Sequence, residues 1–483
     1  MSIKKVIGAG VSAAIGAPLA VCAARAMSCK KELPDKEPAV KWTKEEEQLY
    51  AEKLSAMVQI PTISKKEDEP YEDFVTFQQK LAELFPRVFE TFEVHDVNGN
   101  LLRRWKGSDP SKNGILFMGH QDVVPVDQAG WTKDPFSGAI EDGCVWGRGS
   151  MDCKSTVFCE LQAMEELLEQ GFEPKQDIWF SASRNEENSG GGAETAVNYL
   201  KSTGVKLDLV MDEGGAIVSG LFPGLAAPVA GIGVLEKGFT NVKFTAKSAG
   251  GHASTPPRNS PLIRLSKFMC EVDKKLPFKA EMVTPMPEMF DCITPYLGFP
   301  LRFVTANRWL FNGLLTKALV AISGQTRAFV QSTAAFTMAQ GSSAPNVLPD
   351  EASVICNIRP SVQQNAEQTV AVLKKIADKY DIETEVLFTR DASKTSPVDS
   401  AEFRYLTKCL ADCIPDCVAT PYLMTGGTDS RRFEPVCENV LRFTPTRLTR
   451  EQIAAMHAAN ENVSVSAVAE GVKIYKYLME HRK

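Results

Sequence analysis

The sequence predicts an α/β fold in which a mostly parallel sheet is interrupted by a smaller α+β unit. Three apolar runs predict buried strands at Gly114–Met118, Ile178–Ala182 and Leu207–Met211. Helical patterns alternate with these runs. From about Gly238 alternating strands replace this pattern, which returns after Ser396. Strands that alternate with helices are typical of parallel sheets. With 483 residues, the chain is also too long for one hydrophobic core.

The N-terminal segment resembles a signal peptide or a single membrane anchor. Lys4 and Lys5 precede an uncharged run from Val6 to Ala24. Such segments direct a chain into or across a membrane, so we expect a membrane-anchored or secreted protein, with a cytoplasmic one as the alternative. After a polar linker, the acidic stretch Thr43–Val58 predicts a helix with Thr43 as its N-cap.

The middle of the chain predicts an inserted α+β domain with its own strands and helices. Its elements are a strand at Thr240–Ala246, a helix near Pro261–Lys275, a strand at Ala352–Ile358, a helix over 366–376 and a strand at Glu383–Leu387. Residues 277–340 form an apolar, aromatic section within it. We interpret this section as a helical insertion that either covers something hydrophobic, such as a substrate tail or a membrane, or adds to the core.

The closing part of the chain returns to the α/β pattern. We expect a helix near Ala401–Ala411, a strand at Asn439–Phe443 and a last helix through Val468, Val472 and Tyr475. The predicted domains are therefore a signal or anchor with its linker (1–38), a catalytic α/β domain in two parts (39–236 and 393–483) and the inserted lid (237–392).

The net charge of the chain argues against nucleic acid as a partner. A net charge of −6 and a pI near 5.7 leave no basic footprint for nucleic acid. Small solutes or peptides are the expected ligands.

Polar side chains follow each of the three buried strands. His120 and Asp122 follow the first, Glu186 and Glu187 the second, and Asp212 and Glu213 the third. Ligands of open α/β sheets bind at the carboxyl ends of the strands, so these side chains are candidates for one site.

Nitrogen and carboxylate ligands in this pattern indicate a metal site. Of two adjacent glutamates at a strand end, one can bind metal while the other acts as a base, although a solvated pair is the common alternative. His120, Asp152, Glu187, Asp212 and a late histidine would hold two divalent ions, with one carboxylate bridging. This donor set suits zinc, with cobalt or manganese as substitutes. A thiolate site from Cys144, Cys153 and Cys159 is the weaker alternative.

The ordered motifs resemble the dizinc aminoacylase and carboxypeptidase family, and most of all its carboxypeptidase S and N-acyl-amino-acid hydrolase branch. The resemblance spans about Thr43 to Leu478. It rests on residues 120–125, 131–136, 147–154, 186–187, 212–214, 251–256, 345–349, 357–360, 427–431 and 456–461. It implies a zinc-peptidase-like catalytic domain with a lid of the dimerisation type.

The resemblance also implies roles for individual residues. His120 and His457, with Glu187 and Asp212, would hold the two zinc ions, and Asp152 would bridge them. Glu213 is the rival of Asp212, because relatives use either residue of this pair. Asp122 would orient His120 or tune the metal, and Glu186 would be the general base. His252 would close over the site and donate to the oxyanion, in this chain or in a partner subunit.

Three further side chains are candidates for binding substrate. A guanidinium binds a carboxylate bidentately, which makes Arg359 and Arg431 candidates for a substrate carboxylate. Asn346 could bind that carboxylate or the scissile carbonyl.

The predicted function is metal-dependent hydrolysis of an amide next to a free carboxylate, through a water activated by two zinc ions with Glu186 as base. Substrates would be short peptides, as for a carboxypeptidase, or N-acyl-amino acids. The alternatives are a dipeptidase of the same family or a non-catalytic binding protein. We also expect membrane association through the N-terminus and a homodimer through the lid.

Overall fold

The computed structural model describes residues 18–66, 68–220, 222 and 224–482. Within these residues the fold is mixed α/β, as predicted, with a large sheet of ten strands, a small sheet of four strands, and two further sheets of three and two strands. The strands in chain order are β1 Glu93–Val94, β2 Leu101–Trp105, β3 Gly114–His120, β4 Ile140–Glu141, β5 Cys144–Trp146, β6 Ile178–Ser183, β7 Leu207–Asp212, β8 Ile217–Val218, β9 Val229–Glu236, β10 Phe239–Lys247, β11 Gly251–His252, β12 Thr333–Gln340, β13 Val347–Leu348, β14 Glu351–Arg359, β15 Glu383–Arg390, β16 Val418–Met424, β17 Val440–Arg442, β18 Arg447–Leu448 and β19 Asn462–Ser464.

The helices agree closely with the predicted ones. The first predicted helix begins after Thr43, whose hydroxyl accepts the backbone N–H of Glu46 while the Glu46 carboxylate accepts that of Thr43. The α-helices, besides helical residues 18–28, are Lys44–Val58, Glu72–Leu84, Pro86–Thr91, Lys154–Glu169, Gly192–Ser202, Pro261–Lys275, Met286–Ile293, Phe299–Thr305, Arg308–Ile322, Gly324–Ala328, Ala366–Ala377, Ala401–Cys413, Arg450–Ala455 and Val465–Glu480.

The large sheet has parallel strands at its centre. Its order is β1-β2-β6-β3-β7-β17-β9-β8-β18, with β16 beside β9. β6, β3 and β7, the three strands predicted from apolar runs, pair in parallel, and β17 continues in parallel beside β7. β1 and β2 are antiparallel at one edge. The sheet is therefore mixed, with its parallel part where the predicted site lies.

Burial on both faces explains why the central strands are continuous apolar runs. Every residue of β3 is buried. Because successive side chains alternate, Phe117 packs into the larger core, which includes the helix Val465–Glu480. Met118 packs into the smaller core on the other face, with the helix Gly192–Ser202. A parallel sheet covered by helices on both faces needs such strands.

The small sheet is antiparallel, in the order β12-β14-β10-β15. Its core includes Phe244 and Phe268, whose ring centroids lie 4.6 Å apart and join β10 to the helix Pro261–Lys275. The chain passes from the large sheet to the small one between Glu236, at the end of β9, and Phe239, at the start of β10.

The section 277–340 differs in part from the predicted helical insertion. Its helices end at Ala328, and Thr333–Gln340 forms β12, which pairs with β14. Most β12 side chains are exposed, so no apolar alternation marks this strand in the sequence. The helix Met286–Ile293 buries its apolar side chains in the larger core, which supports the added-core interpretation for this part.

The predicted anchor lies only partly within the described residues. In those residues no helix is both long enough and apolar enough to cross a membrane. The anchor run begins before residue 18, and its end lies in the helix of residues 18–28. There Cys22 and Ala26 are buried, and Asn307 Nδ2 donates a hydrogen bond to the Cys22 carbonyl at 2.9 Å. A targeting role for the segment stays a prediction.

Candidate metal centre

β3, β6 and β7 bring the predicted site residues to one edge of the large sheet. The strands are parallel, so their carboxyl ends lie side by side. β3 ends at His120, β6 ends three residues before Glu186, and β7 ends at Asp212. The remaining acid and imidazole, Asp152 and His457, come from loops next to β5 and β19.

Asp152 lies between two imidazoles. Its Oδ1 is 3.1 Å from Nε2 of His120, and its Oδ2 is 3.0 Å from Nε2 of His457. The same Nε2 of His457 lies 3.1 Å from Oε2 of Glu187. Each oxygen of one carboxylate therefore faces a different histidine, which is the arrangement that a bridging metal ligand needs.

Asp122 orients the residues around it. Its two carboxylate oxygens accept the backbone N–H groups of Glu186 and Glu187 at 3.1 and 3.0 Å. Nδ1 of His120 lies 2.9 Å from the Asp122 carbonyl and 3.4 Å from Oδ1. An Nδ1–H that donates to Asp122 leaves the Nε2 lone pair of His120 free to bind a cation.

Glu461 fixes the loop that carries Asp152. Its Oε1 accepts the backbone N–H groups of Gly149, Met151 and Asp152 at 2.9–3.1 Å. Its Oε2 accepts a hydrogen bond from Nη1 of Arg148 at 2.6 Å, with both side chains buried. The sequence motif contained Glu461, but no role was predicted for it.

The loop also requires glycine at position 149. Its φ is +84°, a conformation that residues with a Cβ rarely adopt. A Cβ there would lie 2.5 Å from Cγ1 of Val123. The glycine therefore permits the close approach that brings Asp152 beside His120.

The two candidates for the fourth acid differ in their surroundings. Asp212 accepts the backbone N–H of Glu213 on Oδ1 at 2.8 Å and that of Ser430 on Oδ2 at 2.9 Å. Both of its oxygens are thus already used within the protein. Glu213 and Asp152 line the same cavity, and the charges of Asp152, Asp212, His120 and Glu187 act on the Glu213 carboxylate. Because both oxygens of Asp212 already accept backbone N–H groups, Glu213 is retained as the rival candidate for the fourth acid.

The cluster has more buried carboxylates than cations. Burial, followed by the charge of Asp152, raises the pKa of Glu213. Burial also raises the pKa of Glu186, which His120 opposes. Hydrogen bonds to Asp152 and Glu187 raise the pKa of His457 to about 10.

A divalent cation fits this charge balance and this donor set. Oε1 of Glu187 is buried without a hydrogen-bond partner in the described part of the chain, and buried charge of one sign needs a counter-charge. Imidazole nitrogen and carboxylate oxygen are ligands that zinc accepts.

Cys153 is adjacent to the cluster but is occupied by the backbone of β3. Its Sγ accepts the N–H of His120 at 3.1 Å and donates to the carbonyl of the same residue at 3.5 Å. Burial raises the pKa of the thiol. Because Sγ of Cys153 already contacts both backbone groups of His120, the contacts of this residue favour the nitrogen and oxygen set over the thiolate alternative.

A cavity of about 390 Å³ adjoins the cluster. It is lined by loop residues, which include Glu186, Glu187 and His457, and by residues of the small sheet. Arg359, Arg390 and Arg432 also line it, so three guanidinium groups share the cavity with the carboxylates.

Arg359 and Arg390 are held differently. Nε of Arg359 donates to Asn357, and its guanidinium lies 4.6 Å from the ring centroid of Phe239. Nε of Arg390 is buried without a hydrogen-bond partner among the described residues. Arg390 was missed from the sequence because it ends an exposed strand outside every motif.

Three predicted substrate-binding residues lie away from this cavity. Nη2 of Arg431 donates to the Asp391 carbonyl at 3.0 Å. His252 and Asn346 are exposed side by side at the β11–β13 ribbon, where Nδ1 of His252 bonds to Ser254. None of the three is among the described residues that line the cavity.

The sequence matches a known family over most of its length. The model of "Peptidase family M20/M25/M40" matches residues 116–481. The "N-fatty-acyl-amino acid synthase/hydrolase PM20D1" of Xenopus tropicalis is 32% identical over 444 residues, which cover 91% of this chain and 86% of the relative. "Carboxypeptidase S" of Saccharomyces cerevisiae is 27% identical over 485 residues, which cover 89% and 83%.

Solved structures share the fold. A metallo-carboxypeptidase of the M20 family from Sulfolobus solfataricus superposes with a TM-score of 0.60 at 17% identity, over 89% of this chain and 98% of the other. Human carnosine dipeptidase 1 gives a TM-score of 0.60 at 16% identity, over 90% and 96%. At these identities the likeness concerns the fold alone.

Proposed function

The chain belongs to peptidase family M20/M25/M40, and on that premise we propose that it hydrolyses an N-acyl-amino acid at the amide next to the free carboxylate. It is a metal-dependent amide hydrolase, so the non-catalytic alternative is set aside. The observation that carries the proposal is Asp152, with one oxygen toward each histidine, beside a cavity that three arginines help to line.

Two zinc ions would be held by two sets of donors that share Asp152. His120, Glu213 and Oδ1 of Asp152 form one set, and His457, Glu187 and Oδ2 form the other. Cobalt or manganese would suit the same donors. When bound, the ions would polarise the scissile carbonyl and favour deprotonation of the attacking water.

The choice between Glu213 and Asp212 has a direct test. Glu213→Gln is expected to lower the affinity for one of the two zinc ions by about 100-fold, because a ligand oxygen is lost. Asp212→Asn should lower it by at most about 10-fold, because its oxygens serve backbone N–H groups. Equilibrium dialysis with zinc measures both, and circular dichroism confirms that each variant is folded. The opposite order of effects would restore Asp212 as the ligand.

Glu186 acts as the general base. It lines the cavity next to Glu187, and the Asp122 carboxylate holds its backbone in place. Its raised pKa suits a group that accepts a proton from water and then passes it to the leaving amine nitrogen.

Arg390 and Arg359 bind the free carboxylate of the substrate. Nε of Arg390 is buried without a hydrogen-bond partner among the described residues and is therefore prepared for an incoming anion. Both arginines line the same cavity as Glu186. In this assignment Arg390, and not Arg431, binds the substrate carboxylate together with Arg359. It explains why an amide next to a carboxylate would be preferred over one without it.

Arg390→Gln tests this assignment and the substrate class together. For a long-chain N-acyl-phenylalanine we expect kcat/KM to fall by about 10–100-fold, mainly through KM, because a charge-assisted hydrogen bond is lost. The corresponding phenylalanine amide should be a poor substrate for both proteins, with little difference between them. Arg431→Gln serves as the matched control. Equal losses on acid and amide would contradict carboxylate recognition by Arg390.

His252 and Asn346 serve the site of a second copy. They lie together on an exposed ribbon of the lid, outside the cavity of their own chain. A homodimer through the lid would bring this pair over the partner's metal centre, where an imidazole can donate to the developing oxyanion.

The acyl group is proposed to be long. The relatives at about 30% identity include several whose names specify N-fatty-acyl-amino acids. Carboxypeptidase S matches at lower identity, which leaves a peptide as the second candidate.

A further inference from the structure

The helices Phe299–Thr305 and Arg308–Ile322 expose an unusual amount of apolar surface. In the longer helix only Thr316 and Leu319 are buried, whereas Leu314 and Ile322 are 63% and 70% exposed. Large exposed apolar patches on soluble proteins mark interaction sites. We call this patch the docking face; it consists of Phe299, Leu301, Trp309, Leu310, Leu314 and Ile322.

The two helices form one continuous surface. The ring of Phe303 lies 6.2 Å from that of Phe299 and 5.8 Å from that of Phe311, which joins the helices. Asn307, between them, bonds to the carbonyl of Cys22 and accepts a hydrogen bond from the indole of Trp309 at 3.4 Å. Residues 18–28 therefore lie against the docking face.

The charges of these two segments differ from those of the whole chain. No aspartate or glutamate occurs in residues 1–31 or in residues 292–349. Both segments carry only basic charges, although the net charge of the chain is −6. The basic residues are Lys4, Lys5, Arg25, Lys30, Lys31, Arg302, Arg308, Lys317 and Arg327.

We propose that the docking face binds peripherally to the surface of a bilayer that contains anionic phospholipids. Exposed leucine and phenylalanine side chains would enter the headgroup boundary, and a tryptophan is suited to that boundary. Arg302 is buried and Arg308 pairs with Asp291 at 2.7 Å, whereas Arg25, Lys31 and Lys317 are exposed. These three exposed basic side chains would attract the anionic headgroups. The helix of residues 18–28 lies beside the same face, where Asn307 bonds to the Cys22 carbonyl, so this helix would lie close to the same membrane surface.

Two other occupants fit less well. A second copy in a twofold interface would bring the same patch of both chains together, and Arg308 and Lys317 would then face their own copies. The acyl chain of a substrate would need a path to Glu186. The described residues that line the cavity beside Glu186 include none from the docking face.

Vesicle flotation with the full chain tests the proposal. The protein is expected to float with vesicles of phosphatidylcholine and phosphatidylglycerol, less with phosphatidylcholine alone, and less at high salt. Combining Leu310→Glu with Leu314→Glu should lower the partition coefficient by about tenfold or more. The matched control combines Val75→Glu with Val94→Glu, two exposed valines outside the face, and should float like the original protein.

Far-ultraviolet circular dichroism and hydrolysis of a short soluble substrate must be unchanged in both double variants. Unaltered flotation of the Leu310 and Leu314 variant would overturn the proposal, because the N-terminus alone would then account for binding. Failure of the original chain to float would overturn it too. A doubling of the molecular mass in the absence of vesicles would also overturn the proposal if the Leu310 and Leu314 variant abolished it. The docking face would then bind a second copy of the chain.

Discussion

Glu186→Gln is expected to lower kcat for amide hydrolysis by about 10³-fold while the protein still binds its metal. General acid and base groups typically contribute factors of this size. Glutamine keeps the shape of the side chain but cannot accept the proton of the attacking water. The measurement is steady-state hydrolysis of an N-acyl-phenylalanine, combined with metal analysis of the same sample.

A control variant and two contrary results test the role of Glu186 as the general base. The exposed Glu173→Gln is the matched control and should retain full activity. Normal turnover of Glu186→Gln would remove this residue from the mechanism. Loss of both turnover and metal would make it a ligand instead of a base.

Glu461→Ala is expected to lower the free energy of unfolding by about 3–5 kcal/mol. The change leaves the buried guanidinium of Arg148 without its carboxylate, and removing one partner of a buried ion pair has a cost of this order. The N–H groups of Gly149, Met151 and Asp152 also lose their common acceptor. Chemical denaturation followed by circular dichroism measures the difference.

The effect of Glu461 should also reach the metal. Without the carboxylate, the Asp152 loop loses its fixed position, so zinc affinity should fall with stability. Glu461→Gln keeps one oxygen acceptor for the N–H groups and should be less destabilised. Glu173→Ala controls for the loss of an exposed acid. A Glu461→Ala protein as stable as the original would refute the loop-holding role.

Periodicity predicted three strands of the large sheet but not all of its buried strands. β3, β6 and β7 are covered on both faces, so their sequences are mostly apolar and were recognisable. β9 is also buried at every residue, but it was not predicted. β12 was not predicted because it is an edge strand with mostly exposed side chains, where burial selects no pattern.

The candidate site could also be predicted only in part. His120, Glu186 and Glu187 follow recognisable strands, and the end of a strand is where α/β sheets place their ligands. Arg390 also ends a strand, but an exposed one. Its approach to the cavity depends on how the two sheets meet, which no local pattern encodes.

The choice between Asp212 and Glu213 depended on side-chain direction. Adjacent residues at a strand end point to opposite sides, and the sequence does not say which side faces the metal. The hydrogen bond from the backbone N–H of Ser430 to Asp212 is the reason to propose Glu213, and no sequence pattern predicts it because Ser430 lies 218 residues later.

The most direct test of the central claim is hydrolysis by chelated protein to which zinc is added back. Without metal we expect no turnover of a long-chain N-acyl-phenylalanine. As zinc is added, the rate of hydrolysis should rise and level off at about two zinc ions per chain. A blocked dipeptide should be the poorer substrate under the same conditions. Full turnover by the chelated protein would contradict the metal centre, and preference for the dipeptide would contradict the N-acyl-amino acid as the substrate.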